Sequence, residues 1–293
     1  MNYLDYKRFN VADVVMQFES DIGIRVSEEF QAFYETDIPD YTVIFQQVNR
    51  LECCKGKLIN KLMGVRIYLD DEGDFFRQFQ EEKRNAVPYA IQRSDWKHKK
   101  ITVTYLKEGK KNIDHTNGAF FHCAWEDIML REQRLILHAC CVETRFGGIL
   151  FSGRSGIGKS TQGDLWCRYE TAKLINGDRP ILCKNNSEGK WLAYGSPYAG
   201  SSRCHVNAKV PVKVIVMLQQ AEKCSIRRLN RAEAFTKIYA QLTVSTWDPA
   251  CVRKACDLTE QLVTDIPIYE MACTPDYEAV KLLTNTIRQE VKV

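Results

Sequence analysis

The sequence predicts a mixed α/β fold, and three observations carry that expectation. Short strand-like runs parted by charged turns fill the chain from Met1 to about Gly118. An apolar run then leads straight into a glycine-containing loop and a helix between Gly147 and Tyr169, the strand, loop, helix order of an α/β unit. Beyond it, β-branched runs give way to stretches with apolar residues at helical spacing.

In chain order, Tyr41 to Gln47, Val65 to Leu69 and Lys100 to Leu106 read as strands of a β-rich first part that carries no chemistry-bearing motif. Trp125 to Arg134 reads as a short helix entering the apolar run Leu135 to Val142. Gly147 to Phe151 is a short buried strand, and the helix after the loop spans about Gly158 to Tyr169. Ala172 to Ile175, Pro180 to Cys183, Trp191 to Tyr194 and the β-branched Val212 to Leu218 read as strands, and alternation at Ser225 to Leu229 adds one more. Three helices close the chain: Ala232 to Leu242, with Phe235, Ile238, Tyr239 and Leu242 on one face, then Pro249 to Val263, then Asp276 to Val291. Pro249 and Pro275 suit helix starts, where a missing amide proton costs nothing. No repeat, low-complexity tract or long linker interrupts the chain. The expected boundary lies near residue 120, with a β-rich region at 1–120 and an α/β domain at 121–293.

The 293 residues are enough to bury a sizeable core, as one large or two modest domains. With 45% hydrophobic and 27% charged residues the composition is that of an ordinary globular protein. No run approaches the roughly 18 consecutive apolar residues of a membrane span, so a membrane role is excluded. Charges and aromatics occupy Met1 to Asn10, where an export signal needs a basic start and an apolar run, so the expected location is the cytoplasm. Of the twelve cysteines, Cys140, Cys141, Cys167 and Cys183 sit in apolar patterns where reduced thiols act as small hydrophobes. Cys53 and Cys54 are adjacent, and Cys251 and Cys256 lie five apart on a helical stretch, so neither pair has the spacing of a zinc knuckle. A net charge of +4, from 41 basic and 37 acidic residues, is too balanced to imply nucleic-acid binding. The run Lys97, His98, Lys99, Lys100 reads as a solvated turn, or as a patch favouring an acidic partner.

One motif carries chemistry. Gly153, Arg154, Ser155, Gly156, Ile157, Gly158, Lys159 and Ser160 match the phosphate-loop pattern GxxxxGK[ST] in full. Glycines let consecutive amides turn inward around phosphate oxygens, and the helix that follows contributes its positive end, including the Thr161 amide. Lys159 neutralises the β and γ phosphates, and the Ser160 hydroxyl is available to Mg²⁺. A chance match in a chain of this length is on the order of 1 in 100 from residue frequencies alone, and the strand before and helix after are the context the motif demands. The expected ligand is therefore a nucleoside triphosphate, ATP with Mg²⁺. Downstream, Leu174, Ile175, Asn176, Gly177, Asp178 and Arg179 end an apolar strand in a carboxylate that can hold Mg²⁺ or take a proton from an attacking hydroxyl. The same residues also suit a plain turn between strands.

His138, the loop 153–160 and the segment 174–182 together resemble the C-terminal domain of the HPr kinase/phosphorylase family. More distantly they resemble the nucleotide-binding core of ATP-dependent phosphoenolpyruvate carboxykinases. In that family a strand carrying a His leads through a phosphate loop to a short strand ending in paired aspartates. His138, Gly153 to Ser160 and Asp178 hold those places in order, over roughly residues 130–230. Tyr194 to Ser202 looks like the G-[ST]-P-[WY]-x-G stretch of HPr-kinase-like proteins found beside modified-peptide biosynthesis genes, and reads equally as a Gly/Ser-rich loop.

The resemblance implies a PEP carboxykinase/HPr kinase-like nucleotide-binding core and an ATP-dependent kinase acting on a hydroxyl, such as a serine of a peptide or protein. Lys159, Asp178, His138 and Arg179 would be catalytic, Gly153 to Thr161 would bind the nucleotide, and Ser160 and Asp178 would hold Mg²⁺. It leaves room for a homo-oligomer. One departure stands out: Gly177 replaces the first of the two aspartates. His138, titrating near neutrality, is then the candidate proton acceptor, or else a buried histidine bonded to backbone. Arg154 and Arg179 can add positive charge near a transferring phosphoryl group or sit on the surface, and Arg203, His205 and Lys209 cluster where they can meet a phosphate or acidic substrate. HPr itself does not fit as acceptor, because the family's glycine- and arginine-rich docking loop and its regulatory domain have no counterpart here. Two other readings remain: a nucleotide-dependent binding or scaffold protein with little or no hydrolysis, and a carboxykinase-type reaction, which needs metal ligands beyond Asp178.

Overall fold

The computed structural model describes residues 5–52, 55–83, 86–185 and 187–290; Cys53, Cys54, residues 1–4 of the N-terminal reading and the end of the last expected helix at Val291 lie outside them. The fold is mixed α/β, with two large sheets and helices. The chain divides into two compact units, one of residues up to 128 with 246–249 and one of 129–245 with 250 onward.

The first unit is built on β1 (Asp5–Val11), β2 (Val14–Ser20), β3 (Tyr34–Glu35), β4 (Tyr41–Gln47), β5 (Lys57–Leu62), β6 (Val65–Leu69), β7 (Phe75–Gln80), β8 (Pro88–Asp95) and β9 (Lys100–Tyr105). Among the described residues these form one sheet in the order β3-β1-β2-β4-β9-β8-β7-β6-β5, with β4 parallel to both β2 and β9. Helices α1 (Glu28–Gln31) and α2 (Thr116–His122) add Phe30 and Phe120 to Phe9 and Phe18, four buried rings with centroids 4.5 to 5.9 Å apart across the Phe30–Phe120 and Phe9–Phe120 pairs. On β7, Arg77 is buried between Glu126 and Asp127 at 2.6 and 2.7 Å, and the two carboxylates hold its guanidinium charged against the desolvation of burial.

The chain enters the second unit within α3 (Trp125–Arg131). There follow β10 (Arg134–Ile136), β11 (Ala139–Thr144), β12 (Gly147–Ser152), α4 (Lys159–Tyr169), β13 (Lys173–Asn176), β14 (Ile181–Lys184), β15 (Trp191–Tyr194), β16 (Lys209–Gln220), β17 (Ser225–Arg228), α5 (Arg231–Tyr239), α6 (Pro249–Asp265), β18 (Ile268–Cys273) and α7 (Tyr277–Glu290). The sheet order is β10-β14-β15-β16-β12-β11-β13, with β18 also pairing β16. β12, β16 and β18 run parallel to one another, which places their carboxyl ends together. Alternation along β16 divides the core: Ile215 and Met217 join Ile238, Leu258 and Leu262 on the face of α5 and α6, while Val214 and Val216 join Trp166, Leu283 and Ile287 under α4 and α7. The Asn230 side chain accepts from the Glu233 amide to cap α5, as a capping box requires.

Several elements depart from the sequence reading. The helix expected to reach Arg134 stops at Arg131, because Gln133 turns into the left-handed region at φ +63° with its amide on the Leu130 carbonyl. The run Leu135 to Val142 is two strands: the amides of Leu137, His138 and Ala139 go to three separate carbonyls, of Pro180, Gln241 and Asp178. β16 is longer than 212–218, β18 lies in a stretch left unassigned, and α5 ends at Tyr239, after which Leu242 bridges Leu137. The ten described cysteines are free thiols, with burial pushing that of Cys140 up to about 12. Among the described residues no helix is long and apolar enough to cross a membrane.

Candidate functional site

The loop after β12 adopts a conformation that its glycines alone make easy: Gly153, Gly156 and Gly158 have φ of +143°, +75° and +109°. Ile157, 8% exposed, anchors the loop in the core beside Phe151 and Leu165, and its amide bonds to the Arg154 carbonyl. Lys159 opens α4 and turns back, its ammonium donating to the Gly153 and Arg154 carbonyls at 3.2 Å each. Desolvation pulls the Lys159 pKa down, and the nearby Asp178 carboxylate opposes it. Among the described residues no side chain caps α4, which leaves its first amides and the positive end of its dipole uncapped at the loop.

Asp178 comes to this loop on a pinned turn. Asn176, fully buried at the end of β13, accepts from the Asp178 and Arg179 amides at 2.9 and 2.7 Å. Its amide nitrogen donates to the carbonyls of Ser196 and Tyr198 at 3.1 and 3.3 Å, and the Ser196 hydroxyl donates to the Arg179 carbonyl at 2.7 Å. The Gly/Ser-rich segment is thereby held against the turn. A Cβ on Gly177 would lie 2.2 Å from the Ser202 hydroxyl and 3.0 Å from the Ala199 carbonyl, and one on Gly200 would lie 2.9 Å from the Asp178 Cβ. The first aspartate of the resembled pair has no room at 177 with the neighbours as they stand.

His138 occupies the crossing between β10 and β11, where the Ser152 hydroxyl donates to its carbonyl at 2.8 Å. Its Nε2 lies 3.3 Å from Asp178 Oδ1. Burial lowers the His138 pKa first, Lys159 lowers it further, and Asp178 works the other way, so the ring is neutral near pH 7.

One open cavity of about 320 Å³ gathers His138, Lys159, Ser160, Thr161, Asp178 and Ser201, with Ser155 and glycines 156, 158, 177 and 200 completing its wall. The two arginines named from sequence do not line it. Arg154 is exposed, and Arg179 turns to Thr243 Oγ1 with its Nε 3.6 Å from Asp178 Oδ2. Nor do Arg203, His205 and Lys209: His205 Nδ1 pairs with the Pro197 carbonyl at 3.0 Å, and the Lys209 ammonium sits over the Tyr194 ring at 5.4 Å. The turn at Asn176 was one of the two readings of 174–179, whereas its link to Ser196 was not foreseen from the sequence.

The donors fit a nucleoside triphosphate and Mg²⁺. An uncapped helix end and a lysine suit phosphate oxygens, and the Ser160 hydroxyl and the Asp178 carboxylate on the same cavity are of the hard oxygen type that Mg²⁺ takes. No family model matches the chain, and no curated protein matches it. Among solved structures it is similar to the Hpr(Ser) kinase/phosphatase from Coxiella burnetii, at 14% identity over 54% of this chain and 90% of that chain. The TM-score is 0.31, and the likeness adds nothing to what the residues themselves say.

Proposed function

We propose that the chain is an ATP- and Mg²⁺-dependent phosphotransferase acting on a hydroxyl, with the serine of a peptide or protein as the acceptor class. The observation that carries this reading is the juxtaposition in one cavity of a phosphate loop with a His138–Asp178 pair 3.3 Å apart. Bound ATP would supply the γ-phosphoryl group, and Mg²⁺ the neutralisation of its charge. The glycine amides and α4 hold the phosphates, while Lys159 faces the charge that develops as the phosphoryl group leaves. The neutral His138 ring and the Asp178 carboxylate form the place where the acceptor's proton goes. Ser160 and Asp178 are the metal ligands in this reading, and Arg179, tethered to Thr243, positions Asp178.

Titration calorimetry with ATP, with and without Mg²⁺, followed by transfer of labelled γ-phosphate to serine-containing peptides, tests the proposal. Lys159→Ala is expected to abolish binding, and Asp178→Asn to keep binding and lose turnover by about 10²-fold or more. Turnover unchanged in Asp178→Asn removes that carboxylate from the mechanism. The lack of room for a second carboxylate at 177 favours one other reading, a nucleotide-dependent binding protein; tight binding without transfer to any acceptor would support it.

A further inference from the structure

The phosphate loop has a second cavity on its other flank. It is also about 320 Å³, and it shares Gly156, Gly158 and Thr161 with the first. It lies at the carboxyl ends of β16 and β18, where Gln220, Ala221, Thr274 and Pro275 form its wall opposite the loop. In open α/β sheets that is where ligands seat, in the crevice beyond the ends of parallel strands.

The two cavities differ in charge. The first carries Lys159, His138 and Asp178, whereas among the described residues no Lys, Arg, His, Asp or Glu lines the second. A polyphosphate placed in the second would leave water without a cation to meet it, and a neutral group placed in the first would strand three ionisable side chains. The second cavity instead offers neutral amides and hydroxyls around Ile157 and Pro275, the mix of a few polar groups and apolar wall that a small organic ligand takes. Its polar groups are set by contacts within the fold. The Gln220 side chain donates to the Gly156 carbonyl at 3.3 Å, tying β16 to the loop. Gln162, 2% exposed on α4, donates to the Thr274 carbonyl at 3.2 Å, and its Oε1 has no partner among the described residues.

We infer that this second cavity takes the nucleoside end, sugar and base, of the nucleoside triphosphate whose phosphates lie on 153–160. The inference rests on the proposed function and gives the bound nucleotide a direction: base at the ends of β16 and β18, terminal phosphate at His138 and Asp178. Thr161, on the walls of both, marks where phosphate meets sugar.

The test compares a ligand with a nucleoside to one without. Calorimetry of the full chain with Mg²⁺ is run with ATP and with inorganic tripolyphosphate, for wild type, Ala221→Trp and Thr274→Trp. Ala221 is exposed, so a tryptophan there does not disturb the core. Each variant is expected to weaken ATP about tenfold or more and to leave tripolyphosphate within about twofold, which also shows that the loop is intact. Photolabelling with 8-azido-ATP is expected to mark peptides carrying Gln220–Ala221 or Thr274–Pro275. Equal weakening of both ligands with labels confined to peptides carrying His138, Asp178 or Ser201 overturns the inference and leaves the phosphotransferase reading standing. Failure of wild type to bind either ligand overturns both.

Discussion

Asn176 is the residue on which the geometry of Asp178 turns, and its removal has a size that can be worked out beforehand. The side chain is fully buried and makes two accepted and three donated contacts. Asn176→Ala leaves the Asp178 and Arg179 amides without an acceptor, at about 1–3 kcal/mol each for a buried unpaired donor. The Tyr198 carbonyl keeps the Ser196 hydroxyl as a donor, so its loss adds little. The expected cost is about 3–5 kcal/mol, a large part of the roughly 5–15 kcal/mol that holds a domain folded. Urea denaturation of wild type and variant, followed by tryptophan fluorescence, measures it; Trp166 and Trp191 are buried in the same unit. Ser196→Ala, which removes one hydroxyl that bridges the same segments, should cost about 1 kcal/mol. A loss below about 1 kcal/mol in Asn176→Ala would refute the view that this side chain holds the turn.

A Cβ on Gly163 would lie 2.5 Å from Cys140 Sγ, so Gly163→Ala should destabilise by about 1–3 kcal/mol, and the double variant with Cys140→Ala should recover part of it in a thermal denaturation cycle. His122 is buried with Nδ1 on the Gly118 carbonyl at 2.7 Å and Nε2 3.1 Å from the Tyr89 hydroxyl, and burial lowers its pKa to about 4. The unfolded chain thus binds a proton that the folded one refuses: stability is unaffected above pH 6.5, falls as pH drops toward about 4, and has lost about 2 kcal/mol by pH 5. Denaturation at pH 7.5 and pH 5 should show that loss in wild type and not in His122→Gln. Arg77→Met strands Glu126 and Asp127, and a loss of about 3–5 kcal/mol is expected by the same denaturation; a neutral outcome would mean that water already reaches those carboxylates.

What could be read from the sequence was whatever is local. The loop 153–160 declares itself because glycines, a lysine and a serine must stand at fixed spacing for one chemistry, α4 because a helix must follow that loop, and α6 and α7 because an apolar stripe repeats within each. β18 went unread although Tyr269, Met271 and Cys273 alternate on one face, because the run is six residues long, carries Glu270 at its middle and begins with Ile268 on the opposite face. Lys209 to Pro211 were not assigned to β16 because a proline argues against a strand; it is accommodated where the strand pairs only briefly with β15. In the site, His138 and Asp178 were expected from a resemblance of order and spacing, whereas the Asn176–Ser196 link joins residues twenty apart and leaves no periodic trace. Arg154 and Arg179 stayed open between the phosphates and the surface, since the direction of a long side chain is decided by neighbours such as Thr243 that sequence proximity does not reveal.

Gly177 also bears on which sequences lie within reach of this one. A carboxylate at 177 is one codon change away, yet that change drives a side chain into Ser202 and the Ala199 carbonyl. Shortening Ser202 would clear the hydroxyl and leave the carbonyl, so the backbone of 199–202 must move before an acid can enter, and that segment is moored through Ser196 to the turn beneath Asp178. That Asp178 stands at this turn without an acidic neighbour at 177 is therefore set by how residues 199–202 pack, and not by the turn alone.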